Sequence, residues 1–411
     1  MDIKQKKFKV HSLTGRIDLK LMKNAFKAVK RNRGAAGIDH VSIDTYKKNE
    51  EQNLIKLMSK LKRRGKYKCA PLKRVLIPKG NTGKFRKLGI PTIEDRIAQE
   101  VIRQLINPTF DAMFHKNSFG FRSGRGCHQA LRQVLQYKQE GYNKVVDIDI
   151  KGFFDNIDHD IIMAFIRAEI ADGNVLDIIE SFLRPGVKEE GKIKPTTKGT
   201  PQGGVISPLL ANITLNYLDW KLESAGYKFV RYADDLVIMC KTHSEAENAL
   251  KFTLEVLKDL KLENSTEKTK IARAGESFQF LGFEIKKQVV VIREKSRKKF
   301  EDSLRAFTTR KHNLEDEVFV KLNRILRGTI NYFCTEFSNN TYYFCLIETW
   351  LRRRIRSMKY KNIRQTNNFR LRNKHIKKRG LMEIKELCSL AKAMCKYSPG
   401  KQVNVLGPPG A

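Results

Sequence analysis

Two short apolar segments carry acidic residues where a packed protein tolerates them least, and that restricts what this chain can fold into. Residues 144–150, KVVDIDI, alternate strictly enough to make a half-buried strand, with Val146, Ile148 and Ile150 on one face and Asp147 and Asp149 on the other. Further on, KFVRYADDLVIMC has two apolar runs flanking four residues, so Asp234 and Asp235 fall in a tight hairpin. Like charges at the ends of rigid strands are unfavourable unless something positive neutralises them. Carboxylate oxygens suit Mg²⁺, and two such ions a few ångström apart can activate a hydroxyl and stabilise a leaving oxygen in phosphoryl transfer. An Asp-Asp pair in a turn says little by itself. Apolar β flanks on both sides, plus a second strand-borne carboxylate upstream, give it weight. On residues alone, Asp147 and Asp149 are equal candidates.

The surrounding segments mix helix and strand. CAPLKRVLIPK predicts a strand, GNTGK a turn and FRKLGIP its return, while IEDRIAQEVIRQLINPTF has apolar residues at helical spacing. DIIMAFIRAEI and AENALKFTLEVLKDL predict two more helices, and FQFLGFEI a short strand. Before all of these, LMKNAFKAVKRNRG is an amphipathic helix expected to stop at Gly34. Strands that carry carboxylates and alternate with helices argue for an α+β core. Asp155 and Asp158 are expected to start helices or join polar networks.

Charge narrows the choice of partner. Lys and Arg total 81 against 44 Asp and Glu over 411 residues, a formal net charge of +37. A surplus of that size repels itself unless a polyanion balances it, so nucleic acid is the first candidate and an anionic membrane the second. No apolar run approaches the roughly 18 residues of a membrane span. The basic N-terminus lacks the apolar stretch of a signal peptide. The expectation is therefore a soluble cytoplasmic protein of two or three domains. The 7 cysteines are scattered without a CxxC pair, which points away from a zinc ribbon or redox dithiol and towards reduced thiols. Between 286 and 380, 26 Lys and Arg meet 8 Asp and Glu, with aromatics such as Phe300, Tyr332 and Trp350 interleaved. That composition suits phosphate contact and base stacking, most of all in WLRRRIRSMKYKNIR at 350–364.

In order along the chain, DIDIKGFFDNIDH, GTPQGGVISPLLANI, FVRYADDLVI and QFLGF resemble the motifs of reverse transcriptases, specifically those encoded by group II introns and also called maturases. AFKAVKRNRGAAGID, VLIPKGNTGKFRKLGIPTIEDRIAQ and SFGFRSGRGCHQAL are similar to that family's N-terminal extension and fingers. The resemblance implies a right-hand polymerase, α+β fingers and palm followed by an α-helical thumb. It implies extension of a DNA or RNA primer on an RNA template from dNTPs. It also implies two Mg²⁺ ions, with Mn²⁺ as a substitute, held by Asp149, Asp234, Asp235 and the backbone of Ile150. The family pattern puts the ligand five residues before an aromatic, which selects Asp149 and sets Phe154 under the sugar, against a 2′-hydroxyl. Packing alone would make Phe154 a core residue. By the same resemblance Gln202 packs near the incoming nucleotide. Lys79 and Arg86 flank the GNTGK turn and would clamp the triphosphate, although a cationic hairpin tip is ordinarily a solvated loop. Arg122 and Arg125 are expected on the template backbone, Leu281 and Gly282 at the primer end, and Lys268 or Lys270 as a general acid towards pyrophosphate.

The expected domains are a helical extension over 1–65, fingers and palm over 66–285, a thumb or maturase region over 286–365, and a basic segment over 366–411 that binds DNA or is flexible. The thumb's outer face is expected to bind structured intron RNA. No segment after the thumb resembles the family's Cys/His-bearing endonuclease. Two other uses of such a chain stand beside DNA synthesis by an intron enzyme. One is a maturase acting mainly as an RNA-binding splicing cofactor. The other is a domesticated enzyme of phage defence, CRISPR spacer acquisition or DNA repair.

Overall fold

The structure, a computed structural model, describes residues 9–397 apart from 79–82, 84, 190, 191, 202, 268, 273–275 and 288. The chain forms two compact units. One comprises 1–122 and 146–271, the other 123–145 and 272–411.

The first unit mixes helices and sheets. Its helix Leu19–Arg31 starts where the Asp18 side chain accepts the Leu21 N–H, and it buries Met22, Ala25, Phe26 and Val29 along one stripe. Burying each of Met22, Phe26 and Val29 is worth about 1.5–3 kcal/mol. The helix stops at Arg31, short of the expected Gly34, because Asn32 caps it and Arg33 turns into the left-handed region. Strands β1 (Leu72–Pro78) and β2 (Phe85–Ile90) pair antiparallel with Ile77 opposite Arg86, as the turn signal between them predicts. The helix Ile93–Asp111 is capped by Thr92 and continues through Pro108.

Strand β3 (Lys144–Asp149) carries the DID sequence, and the short strands β4 (Val187–Glu189) and β5 (Lys192–Lys194) extend the β1–β2 sheet in the order β2-β1-β4-β5. Strands β6 (Lys228–Tyr232) and β7 (Asp235–Cys240) form the second hairpin, and with β8 (Lys270–Ala272) they make a sheet ordered β6-β7-β3-β8. The helix Ser207–Ser224 is buried nearly all round, from Leu209 through Leu215 without a break, so its few polar residues need internal partners.

In the second unit, FQFLGFEI is a hairpin rather than a single strand. Strands β9 (Phe278–Phe280) and β10 (Phe283–Ile285) turn back at Leu281 and Gly282, both with positive φ, and β11 (Val290–Ile292) completes the sheet. The rest is helical, chiefly Cys127–Gln139, Glu294–Phe307, Asp316–Phe333, Thr341–Tyr360 and Ile384–Tyr397. All seven cysteines are free thiols. Among the described residues no helix is long and apolar enough to cross a membrane.

Candidate active site

The acidic hairpin is tighter than its sequence suggests. Tyr232 pairs directly with Asp235, leaving a two-residue turn of Ala233 and Asp234, with Ala233 at φ 58°. A non-glycine residue is strained there and persists only when its surroundings hold it. Arg231 supplies much of that hold. It is 0% exposed, and its guanidinium donates to both carboxylate oxygens of Asp219, at 2.7 and 2.5 Å, and to Asn212 Oδ1 at 2.9 Å. It also donates to the Ala233 carbonyl at 2.9 Å, inside the turn itself. Asn212 in turn donates to the Gly120 carbonyl at 2.9 Å.

The SFGFRSG segment packs against this hairpin. Phe119 N–H donates to the Arg231 carbonyl and Arg231 N–H to the Asn117 carbonyl, each at 2.9 Å. A Cβ on Gly120 would sit 2.3 Å from the Ala233 nitrogen, so only glycine fits. Arg122, expected on the template, is instead 6% exposed and turned inward. It is ion-paired to Asp111 at 2.7 Å and donates to the carbonyls of Asp111, His115 and Ser118. It braces the loop from within.

Asp149 ends β3, which lies between β7 and β8. Its carbonyl accepts the Ser265 N–H, and Lys151 N–H donates to the Glu263 carbonyl, around an antiparallel bridge of Ile150 with Asn264. That pattern turns the Ile150 carbonyl away from Asn264. Asp147 shares the Asp149 face. Burial, and next the charge of Asp149, push its carboxyl up to about 6, with Lys270 at the start of β8 pulling the other way. Asp149 and Asp234 are half-buried and Asp235 is exposed. Among the described residues no three His, Cys, Asp or Glu side chains stand together as a group able to hold a metal ion. Hard carboxylate oxygens on neighbouring strands still fit Mg²⁺, which is typically bound by one or two carboxylates with substrate phosphates and water completing its shell.

A second cluster surrounds Phe154, half-buried in the short helix Phe153–Asn156. The GTPQGG segment is stitched to this helix. Thr200 N–H donates to the Phe154 carbonyl, and Gly199 N–H to the Ile157 carbonyl, both at 2.7 Å. Buried His159 donates Nε2–H to the Gly199 carbonyl at 2.7 Å. Gly199 has φ 83°, and a Cβ on it would meet the Asp155 carbonyl oxygen at 2.7 Å. At the other end of the segment a Cβ on Gly203 would lie 2.9 Å from Leu88 Cδ1, on the strand that carries exposed Arg86. The loop thus ties the Phe154 helix to β2. Asp158 caps the helix His159–Glu169, as expected of it. Lys79, Gln202 and Lys268 lie outside the described residues.

In the second unit, the Tyr332 hydroxyl donates to the Leu281 carbonyl at 2.9 Å, Arg293 N–H donates to the Gly282 carbonyl, and Phe333 packs beside Gly282. Arg125 is half-buried just before the helix Cys127–Gln139. The arginine-rich helix is less open than its composition suggests. Arg352 pairs with Glu348, Arg354 donates to Thr308, and Arg356 donates to the Leu371 carbonyl and to Asn373.

A carboxylate-bearing hairpin beside a strand-end aspartate, within a mixed α/β unit, fits a reverse-transcriptase fold. Residues 77–285 match the family described as Reverse transcriptase (RNA-dependent DNA polymerase), and 297–380 match Group II intron, maturase-specific domain. The chain belongs to the group II intron reverse transcriptase/maturase family. It is similar to "Group II intron-encoded protein LtrA" of Lactococcus lactis subsp. cremoris, with 32% identity over 64% of this chain and 54% of that protein. It is also similar to "Protein YkfC" of Escherichia coli (strain K12), with 33% identity over 57% of this chain and 70% of that protein. The matched region thus spans about half the length of the Lactococcus relative. A structure of apo telomerase from Candida tropicalis, truncated from the C-terminal domain, aligns over 55% of each chain at 16% identity with a TM-score of 0.43.

Proposed function

We propose that the chain is an RNA-directed DNA polymerase of group II intron type, extending a DNA or RNA primer on an RNA template from dNTPs and also binding structured intron RNA. The observation that carries this reading is the strained Ala233–Asp234 turn, held by Arg231 in the same sheet as Asp149. Asp149, Asp234, Asp235 and the Ile150 carbonyl would hold two Mg²⁺ ions, or Mn²⁺ in their place. Bound there, divalent ions acidify the primer 3′-hydroxyl and neutralise charge on the leaving pyrophosphate.

The chain's own residues bind and orient. Arg86 and Lys79 pair with triphosphate oxygens, Gln202 lies along the nucleotide, and the Phe154 ring fills the space a 2′-hydroxyl would need. Lys270 or Lys268 gives a proton to the pyrophosphate. Arg125 contacts the template backbone, and the Leu281–Gly282 turn supports the primer end. We assign fingers and palm to 66–285 and thumb to 286–365, with the maturase-specific match over 297–380 favouring intron RNA as a partner.

Asp234→Ala separates the two activities. Primer extension on RNA should vanish while affinity for intron RNA and assistance to splicing remain. Extension by Asp234→Ala at the wild-type rate would refute the assignment.

A further inference from the structure

The helical unit contains a cavity of about 670 Å³, within the size range of small-ligand sites. Its walls come from the helix Asp316–Phe333, the end of Thr341–Tyr360 and the segment 370–380. Internal bonds hold those walls rigidly. Arg356 donates to the Leu371 carbonyl at 2.8 Å, Asn323 donates to the Gly380 carbonyl at 2.6 Å and accepts the Met382 N–H at 3.0 Å, and Arg379 pairs with Asp316 at 2.9 Å. That last pair satisfies the one carboxylate in the lining. Lys359, Arg370 and Lys378 also line the cavity, and among the described residues none of them has a carboxylate within ion-pair distance. Beside these cations Val320 is 60% exposed, while Phe319 and Leu371 in the same lining are buried. Phe369, next to Arg370, is 75% exposed.

Three cations without a carboxylate partner, two of them over the Tyr360 ring, stand beside exposed Val320 in a cavity large enough for a nucleotide, and match a ligand that is anionic at one end and apolar at the other. We propose that this cavity takes a single unpaired ribonucleotide of a bound RNA, its phosphate on Lys359, Arg370 and Lys378 and its base against Val320, with Phe369 free to stack the neighbouring base. A continuous duplex presents its phosphates on a convex surface and keeps its bases stacked inside, so it would leave the cavity empty. The inference rests on the RNA-binding reading above and names which feature of the RNA this unit selects.

The test compares two RNA hairpins, one fully paired and one with a single-nucleotide bulge, by fluorescence anisotropy with the full chain. Wild type should prefer the bulged hairpin about tenfold, the scale of burying one base face against apolar surface. Val320→Asp should lose the preference with unchanged thermal unfolding, because its side chain is largely in solvent. Arg370→Gln/Lys378→Gln should lose it too, and should lower the salt slope on the bulged RNA by up to about 0.7, the share of the one phosphate held there. No preference in wild type, or equal losses on both hairpins, would overturn the cavity while leaving RNA binding intact. Failure of both RNAs to bind would overturn the wider reading as well. Competition by polyglutamate of matched charge that erases the preference would show a site that senses charge and no base, and would also overturn it.

Discussion

Removing both partners of the Arg231–Asp219 pair should cost less than the two single removals add up to. The two side chains are each 0% exposed, and the guanidinium makes four hydrogen bonds, two of them to the Asp219 carboxylate. Asp219→Leu leaves a buried cation without its counter-charge, which costs about 3–5 kcal/mol. Arg231→Met strands the carboxylate at a similar cost. Typical domains are stable by roughly 5–15 kcal/mol, so either change approaches the limit of folding. Arg231→Met/Asp219→Leu removes both charges and strands only the Asn212 oxygen and the Ala233 carbonyl, about 1–3 kcal/mol each at most. The two singles, about 6–10 kcal/mol together, should therefore exceed the double, about 2–6 kcal/mol, by roughly 4 kcal/mol. Urea unfolding followed by Trp220 fluorescence measures this. Trp220 shares the helix with Asn212 and Asp219, and Trp350→Phe removes the only other tryptophan. DNA synthesis should stay low in the double variant despite its recovered stability, because nothing then holds the Ala233 carbonyl. Additive singles, with coupling below about 0.5 kcal/mol, would refute the reasoning.

Three further outcomes follow from the same geometry. Gly120→Ala forces a methyl group into the Ala233 backbone, so primer extension should fall more than about tenfold, the equivalent of roughly 1.4 kcal/mol on the barrier, while circular dichroism remains native. If the Phe154 ring fills the proposed place beside the sugar, Phe154→Ala should raise ribonucleotide incorporation relative to deoxyribonucleotide in a competitive extension assay. The third concerns pH. Burial lowers the pKa of His115, His128 and His159 below the ordinary 6.5, so the unfolded chain takes up protons first as pH drops. Stability contributed by these neutral rings is whole above that value and lost as pH falls through it towards the folded pKa values. The urea midpoint should drop between about pH 7.5 and 5.5, and less steeply in His159→Gln.

Much of this was legible in the sequence because it was written locally. The alternation of KVVDIDI, the apolar flanks of YADD and the turn signal of GNTGK each describe a strand or hairpin through its own residues. The two units are less legible, since 123–145 joins residues after 271 through packing that leaves no local pattern. FQFLGFEI looks like one strand because nothing in a Leu-Gly step demands a reversal. The structure puts Leu281 at φ 47° and braces it from Tyr332, fifty-one residues away. Arg122, Arg354 and Arg356 look like surface cations in one dimension, and only their distant carbonyl and hydroxyl partners make them braces. Arg231 did leave a signal. A charged residue beside the apolar Phe229 and Val230, in a short strand paired with the apolar run Leu236–Cys240, must find an internal partner. Nothing local pointed to Asp219 as that partner.

The most direct test of the account is primer extension on an RNA template with dNTPs and Mg²⁺ by wild type, Asp147→Asn, Asp149→Asn and Asp234→Asn/Asp235→Asn. The account predicts extension by wild type and by Asp147→Asn, and none by the other two. Synthesis that survives Asp149→Asn, or is lost only with Asp147→Asn, would contradict the assignment of Asp149 and the hairpin as the carboxylates that carry the reaction.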